Sequence, residues 1–508
     1  MAQWRFLPDV PPDTPEVWQT CDGFHADRHG LYRTGWIEAQ FNDTSGTGRD
    51  FTEVKNLPVA SLSPNTNIVA IVHSKLSPAV TGAAYVYNGS WNDRTGGTNV
   101  HTGQQEAIAQ LGNITVVGTP ANGCFSRDAT GTSNFAAVAS SPNCDILVVN
   151  GLNILIALGG GSTGSDAWAT SDVASTSFVA GGSSVAASGN LRQTPGKITA
   201  GIAFGNDVIA WKNQGVYRGR FLNVGDIIWE WTLIPGGERL GAWGPGCVVA
   251  ANGIIYFLGD QGFWSFDGSN FRPMDEGIRR TLLFAMSDSN SQHTYTKLTF
   301  DAFTNLVGIW NRKGYTNGSQ RSSGVVVFYT FNVNSGQWGY QSKFSNGLSD
   351  YGAICEGIES SYSTFIPLSW PTPVTTFAVL DVSDDKIYTI SAAFDPAVID
   401  GNVYIPKLAT GKIGSREVTT GITKVIPGWT VSDGVGSDLS TATLKKVVPY
   451  YADSIMEAMT QGSDVTLSTD RYWADYRKSA WWHKFEIQIN CEAVIDGVDV
   501  VKVKVGKK

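Results

Sequence analysis

Charge is scarce in this chain. Asp, Glu, Lys and Arg make up 16% of its 508 residues, and the formal net charge is -8. Long amphipathic helices draw on Glu, Lys, Arg, Leu and Ala, so this shortage argues against a helical protein. The acidic balance also argues against a protein that grips nucleic acid through phosphate contacts. Paired cysteines are missing too. Cys21, Cys124, Cys144, Cys247, Cys355 and Cys491 are scattered without a CxxC spacing, and reduced, buried thiols are expected. No run of about 18 apolar residues occurs, so no segment reads as a membrane-spanning helix. The opening MAQWRFLPDVPPDTPEVW lacks the charged-then-apolar pattern of a secretory leader, and folding in a cytoplasm is expected.

What is present is glycine and aromatics: 57 Gly, 17 Trp, 17 Tyr and 23 Phe. Set among Ser, Thr, Val and Asn, they suit strands joined by tight turns. The length exceeds one ordinary core. The expected fold class is all-β, in two or three domains.

One stretch supplies the pattern. GIIYFLGDQGFWSFDGSNFRPMDEGIRRTLL, residues 253–283, runs strand, Asp-Gln-Gly turn, aromatic strand, Asp-Gly-Ser turn, aromatic. AAYVYNGSWNDR at 83–94 repeats its second half, and DVIAWKNQGVYRGRF at 207–221 repeats its first. VVVFYTFNVNSGQWGYQ at 325–341 and TFAVLDVSDDKIYTI at 376–390 follow the same order, and CDILVVNGLNILIALGGGSTGSDAW at 144–168 reads as a further copy. Copies stand roughly 50 to 80 residues apart, which suits decorated propeller blades. Such a unit cannot bury both faces alone, and radial packing solves that. The expectation is an irregular β-propeller of about five to seven blades over residues 61–400. An extended Pro-rich arm precedes it at 1–60, and a separate β domain follows at 401–508. Unrelated hairpins in a β-sandwich are the competing reading.

Local features refine this. After Pro273, the spacing of Ile278, Leu282, Leu283 and Met286 predicts a short helix with Asp275 as N-cap. Residues 159–190, rich in Gly, Ser, Thr and Ala, read as a surface loop. KFEIQINCE alternates as a half-buried strand, with Phe485, Ile487, Ile489 and Cys491 on one face. In GVDVVKVKVGKK the alternation slips at Val500-Val501, which predicts a bulge, with Lys502 and Lys504 guarding an edge.

Candidate chemistry is thin. Cys21, His25 and His29 stand at four-residue steps, but Gly23 and Gly30 oppose the helix that would align them on a metal. His73, His101, His293 and His483 stand alone. GGGSTG at Gly159 lacks the lysine of a phosphate loop, and DVSDDK lacks calcium-loop spacing. There is no Gly-x-Ser-x-Gly elbow and no recurrent sialidase Asp-box. Asp260 and Asp267 are what turns require. No enzyme, metal or cofactor is expected. Trp229 and Trp231 share a strand face, which favours packing. Trp481 and Trp482 must face opposite ways, one buried and one exposed, and this pair is the candidate interface.

Two regions carry a family resemblance. They are DVIAWKNQGVYRGRF with GERLGAWGPGCVVAANGIIYFLGDQGFWSFDGSNFRPMDEGIRRTLL, and SAWWHKFEIQINCEAVIDGVDVVKVKV at the end. Their order of strands, turns and short helix resembles the tail hub, or nozzle, proteins of short-tailed bacteriophages, also called packaged-DNA stabilisation proteins. The resemblance implies a propeller with extra β domains, assembled as a ring of six in the virion tail after synthesis in the host cytoplasm. Portal and adaptor proteins would lie above it, and needle, spike or fibre proteins below. Double-stranded DNA would pass through the channel without sequence-specific binding, and the ring would help retain it until ejection. A low-charge acidic surface suits a conduit, because each neutralised phosphate would add to retention. A carbohydrate-binding, receptor-recognising propeller and a cellular propeller scaffold are the alternatives.

Overall fold

The computed structural model describes residues 4–34, 37–40, 51–57, 59–62, 67–72, 83–88, 90–96, 107–160, 166–224, 226–286, 296–302, 304–313, 325–341, 351–355, 378–381, 386–391, 406–414, 419–429, 431–432, 435–436, 445–453, 457–467, 473–489 and 493–506. The fold is all-β apart from short helical turns. The one α-helix among the described residues is α1, Arg279–Met286.

Five successive stretches each fold into a four-stranded antiparallel meander: residues 51–93, 107–137, 146–190, 198–233 and 248–273. A sixth, 297–341, opens a nine-stranded sheet. In the seventh, Tyr351–Cys355, Ala378–Asp381 and Lys386–Ser391 take their fourth strand from far upstream, with Ser391 opposite Ile37 and Tyr388 opposite Gln40. The first strands of the second to sixth meanders lie side by side in order, and the first strand of the seventh lies against Phe51–Asn56 of the first.

The packing explains why these strands read as apolar runs rather than strict alternations. In Ile254–Gly259, Ile255 and Phe257 point into the core shared with the fourth meander, with Trp211 and Val216. Tyr256 and Leu258 point the other way, into the core shared with the sixth, with Val307 and Phe331. Both faces of the sheet are buried, so both side-chain parities must be apolar. The same holds along the chain. Val69 and Ile71 meet Ile108 and Val117, Val116 and Leu111 meet Leu147 and Leu155, and Ile156 and Leu158 meet Ile198 and Tyr217.

The ends of the chain fold together. An eight-stranded sheet sets Val17–Asp22 beside Lys407–Thr410, then Trp482–Ile489 and Lys445–Ala452. In the nine-stranded sheet, Phe24–Ala26 joins Tyr340 of the sixth meander, and Tyr32–Thr34 joins Val494–Gly506. The boundaries expected near residues 60 and 400 are therefore crossed by pairing. Strands Ile37–Gln40 and Phe51–Asn56 belong to meanders, Val17–Asp22 and Tyr32–Thr34 pair with strands of 407–506, and Phe24–Ala26 pairs with the sixth meander.

Other expectations meet particular structure. Residues 159–190 are not all loop: Ala167–Thr170 and Ser188–Asn190 complete the third meander. Their small residues have a use, since the indole of Trp168 lies where a Cβ on Gly189 would sit, at 3.0 Å. Register shifts between Ile422 and Lys424, opposite Val501 and Lys502, close to the predicted bulge. Val494–Gly506 pairs with Thr419–Trp429 on one side and, on the other, with Tyr32 and Arg33 only at Val494 and Ile495.

Candidate interaction surfaces

Cys21, His25 and His29, spaced at four-residue steps, have separate surroundings. Cys21 is buried, and its Sγ donates to the Phe24 carbonyl at 3.3 Å. Burial pushes its thiol far above the ordinary range. His25 is buried on the next strand, with Nδ1 2.8 Å from Thr330 Oγ1 and Nε2 3.0 Å from Gln341 Oε1. Burial lowers it to about 4. His29 is exposed beside Arg28. Cys21 and His25 lie on strands of two different sheets, and no metal-competent group of His, Cys, Asp or Glu occurs among the described residues. Cys491, His73, His101 and His293 lie outside the described residues. His483 is buried, with Nε2 2.8 Å from the Thr420 carbonyl.

The turn acids serve turns. Asp267 Oδ1 accepts the amides of Ser269 and Asn270 at 2.9 and 2.7 Å, and these bonds hold its carboxyl below the usual range. Asp260 Oδ1 accepts the Trp243 indole N–H at 2.6 Å. Asp275 is fully buried but does not cap α1. It accepts the Phe263 amide at 3.0 Å and both Nε and Nη2 of Arg279, at 2.9 and 2.8 Å. The cap comes from the arm, where Asp9 accepts the amides of Arg280 and Thr281 at 2.6 and 3.1 Å. The helix packs on its own chain, burying Ile278, Leu282 and Met286 between the fifth and sixth meanders.

Apolar side chains exposed on the surface mark where a partner could sit. Phe284 on α1 is 77% exposed. At the tip of the fourth meander's last hairpin, Leu222, Val224 and Ile227 are exposed together, Val224 by 67%. Val501 and Val503 are exposed near the end of the last strand. Of the tryptophan pair, Trp482 is 4% exposed and packed into the eight-stranded sheet. Trp481 is half-buried. Trp481 alone of the pair therefore reaches the surface, and it does so half-buried rather than as the exposed member expected. Trp229 is buried and stacks on half-buried Trp231 at 6.4 Å, while Trp168 of the third meander reaches Trp231 at 5.6 Å. These indoles fill the seam between two meanders.

A shallow crevice of about 600 Å³ opens between the turns of the fourth and fifth meanders, lined by Phe204, Asn206, Asp207, Arg218 and Ala250. Arg218 Nε donates to Asp207 at 2.5 Å within it. The same end of the meanders holds a signal that the strand pattern hid. The turn from first to second strand carries an asparagine in five of them: Asn113, Asn153, Asn206, Asn252 and Asn305. Asn153, Asn252 and Asn305 have φ near +50°, as does glycine in the other two turns, a conformation that Asn tolerates better than other residues with a Cβ. These turns also link neighbours. Asn150 Nδ2 donates to the Asn206 carbonyl at 2.8 Å, and Asn252 Nδ2 to Asn305 Oδ1 at 3.1 Å.

Comparison with known proteins finds no matching protein-family model and no matching curated protein. Among solved structures, the chain is similar to the computationally designed Ika8 protein, with TM-score 0.35 and 12% identity over 69% of this chain and 99% of that one. It is also similar to a fungal alcohol oxidase of the AA5 family in complex with copper, with TM-score 0.41 and 9% identity over 85% of this chain and 99% of that one. No helix among the described residues is long and apolar enough to cross a membrane.

Proposed function

We propose that the seven meanders form a seven-bladed β-propeller, and that the chain is a structural virion protein, the tail hub or nozzle of a short-tailed bacteriophage. In this reading six copies form a ring below the portal and adaptor. The ring extends the DNA channel, helps retain packaged DNA and conducts it at ejection. The woven N- and C-terminal strands form the second β unit of each subunit.

The observation that carries this reading is a shared core. The two stretches that resemble phage hubs are far apart in sequence, yet Tyr256, Phe263, Ile278 and Leu282 of one lie in the same buried cluster as Phe485, Ile487 and Ile495 of the other. A rigid joint between propeller and terminal unit suits a load-bearing ring component. The strand Ile37–Gln40 supports the propeller, because borrowing an early strand for the last sheet ties the ends of a blade ring together. Phe284 and the hairpin tip at Val224 offer apolar anchors for neighbouring copies.

Electron microscopy of the purified protein and of particles tests the reading. Six-fold rings, and the same ring at the particle's tail vertex, are expected. A stable monomer absent from particles would overturn it. Glycan-array binding that disappears in Trp481→Ala would instead favour a receptor-binding propeller.

A further inference from the structure

Two of the buried thiols touch. Cys124 lies in the third strand of the second meander, and Cys144 stands just before the first strand of the third. Their sulfurs are 3.8 Å apart, and both residues are buried. The backbone holds both cysteines in place: the Cys144 amide donates to the Thr119 carbonyl at 3.0 Å, and the Cys124 amide to Ser141 Oγ at 2.8 Å. Gly118, directly opposite Cys124 in the sheet, makes the approach possible, because a Cβ there would run into the Cys144 sulfur. The Cys124 sulfur also faces the Pro142 carbonyl, at 3.7 Å, much as those of Cys21 and Cys247 face the carbonyls of Phe24 and Thr296 at 3.3 Å; what sets Cys124 and Cys144 apart from those two is the second sulfur within reach.

We propose that Cys124 and Cys144 are an oxidisable dithiol that forms a disulfide joining the second meander to the third, with a low-molecular-weight disulfide such as oxidised glutathione as electron acceptor. Cys124 makes the first attack. It is covered by residues 136–143, most of them exposed and lacking regular structure beyond Ala136–Ala137, so opening that segment uncovers it. Its thiolate displaces one glutathione thiolate and leaves a mixed disulfide. Cys144 then attacks the Cys124 sulfur, forms the intramolecular bond and expels the second glutathione. Two protein thiols are oxidised, one glutathione disulfide is reduced to two thiols, and the two thiol protons pass to the leaving thiolates. The order agrees with the environment of Cys144, whose hydrogen bond to Cys124, together with burial, holds its thiol well above the ordinary value. The reaction does not depend on the functional reading above, and its rate is set by local opening.

The sequence provides a direct test. Trypsin cuts after Arg94, Arg127 and Arg192, so Cys124 and Cys144 fall in separate peptides, each with one cysteine. The full-length protein is incubated with oxidised glutathione, alkylated, digested without reductant and read by mass spectrometry. The linked pair 95–127/128–192 is expected, lost on reduction, and formed at least tenfold faster than any link through Cys21 or Cys247. In Cys144→Ala, Cys124 is expected to keep its glutathione adduct. The proposal is overturned if both cysteines remain alkylatable after an exposure that oxidises a reference dithiol, or if Cys124 links elsewhere. It is equally overturned if natively folded Cys144→Ala takes up no adduct at Cys124.

Discussion

The sheet of residues 107–137 draws its four strands from one short stretch of chain, each paired with the next through a short connection. The eight-stranded sheet sets Cys21 opposite Leu408, and Leu408 opposite Ile487. The first closes small loops and buries its faces against sequence neighbours. The second must bring the two ends of the chain together before any contact repays the closure entropy. The two regions should therefore fail differently. A defect in a meander should stay between its neighbours. A defect in the woven ends should loosen segments hundreds of residues apart.

Trp18→Ala breaks this comparison most directly. Trp18 is fully buried, with its ring 4.7 Å from Trp4 and 6.4 Å from Tyr32. Truncation should cost about 3–5 kcal/mol, as for other large buried aromatics. Hydrogen exchange should rise at residues 407–410 and 482–489 while 107–137 stays protected. Equal acceleration in both regions would mean that the chain unfolds as one unit and that the contrast is false.

Acid should act on the same joint. His25 links Phe24–Ala26 to the sixth meander, and burial lowers it from 6.5 to about 4. The folded state therefore takes up the proton later than the unfolded chain. Stability is fully present above about pH 6.5 and falls as pH drops toward about 4, then levels off. The shift corresponds to about 3 kcal/mol across that window. Denaturant titrations at pH 7 and pH 4.5 should show the loss, and His25→Gln should remove most of it. Burial also lowers His483, so the variant is needed to assign the His25 share. An unchanged pH profile in His25→Gln would assign the acid response elsewhere.

What could be read from the sequence divides along the same line. The aromatic–turn–aromatic repeats fall on paired strands. Residues 207–221 are second and third strands, and 83–94 are third and fourth. The alternation of Phe485, Ile487 and Ile489 corresponds to one buried face. These are local signals with periods fixed by backbone geometry. The woven pairing left no such trace, because Pro8, Pro11 and Pro12 describe an extended arm without naming what it lies on. Asp275 looked like a cap from its spacing, but its carboxylate is turned to the Phe263 amide and the Arg279 guanidinium, a tertiary arrangement that spacing does not reveal. Trp482 looked available because sequence cannot say which of two opposed faces is covered. The turn asparagines were readable too, and Asn113 marks the second meander, the one that no aromatic repeat covers.

Gly259→Ala sharpens the local side. A Cβ there would run into the backbone carbonyl of Gly241, which follows the fourth meander. Backbone cannot swing aside as a long side chain can, so a cost of about 1–3 kcal/mol is expected. The loss of protection should be confined to residues 198–273. Its spread to 482–489 would show that the fifth meander transmits strain into the terminal unit through their shared core.

The smallest expected effect lies where the two regions meet. Asp9 belongs to the arm, α1 to the fifth meander, and the arm caps the helix. Leu7 also packs where Gly277 leaves room, since a Cβ there would meet Leu7. Asp9→Ala removes the acceptor for two helix amides and a negative charge at the helix N-terminus. The expected loss is about 1 kcal/mol. Global unfolding should barely move, while the amides of Arg280 and Thr281 should exchange about fivefold faster, the factor that such a free-energy change corresponds to. Asp9→Asn keeps an acceptor oxygen and should recover most of the protection. If Asp9→Ala leaves those amides unchanged, the helix is held by Ile278, Leu282 and Met286 alone, and the arm lies on the meander without fastening it.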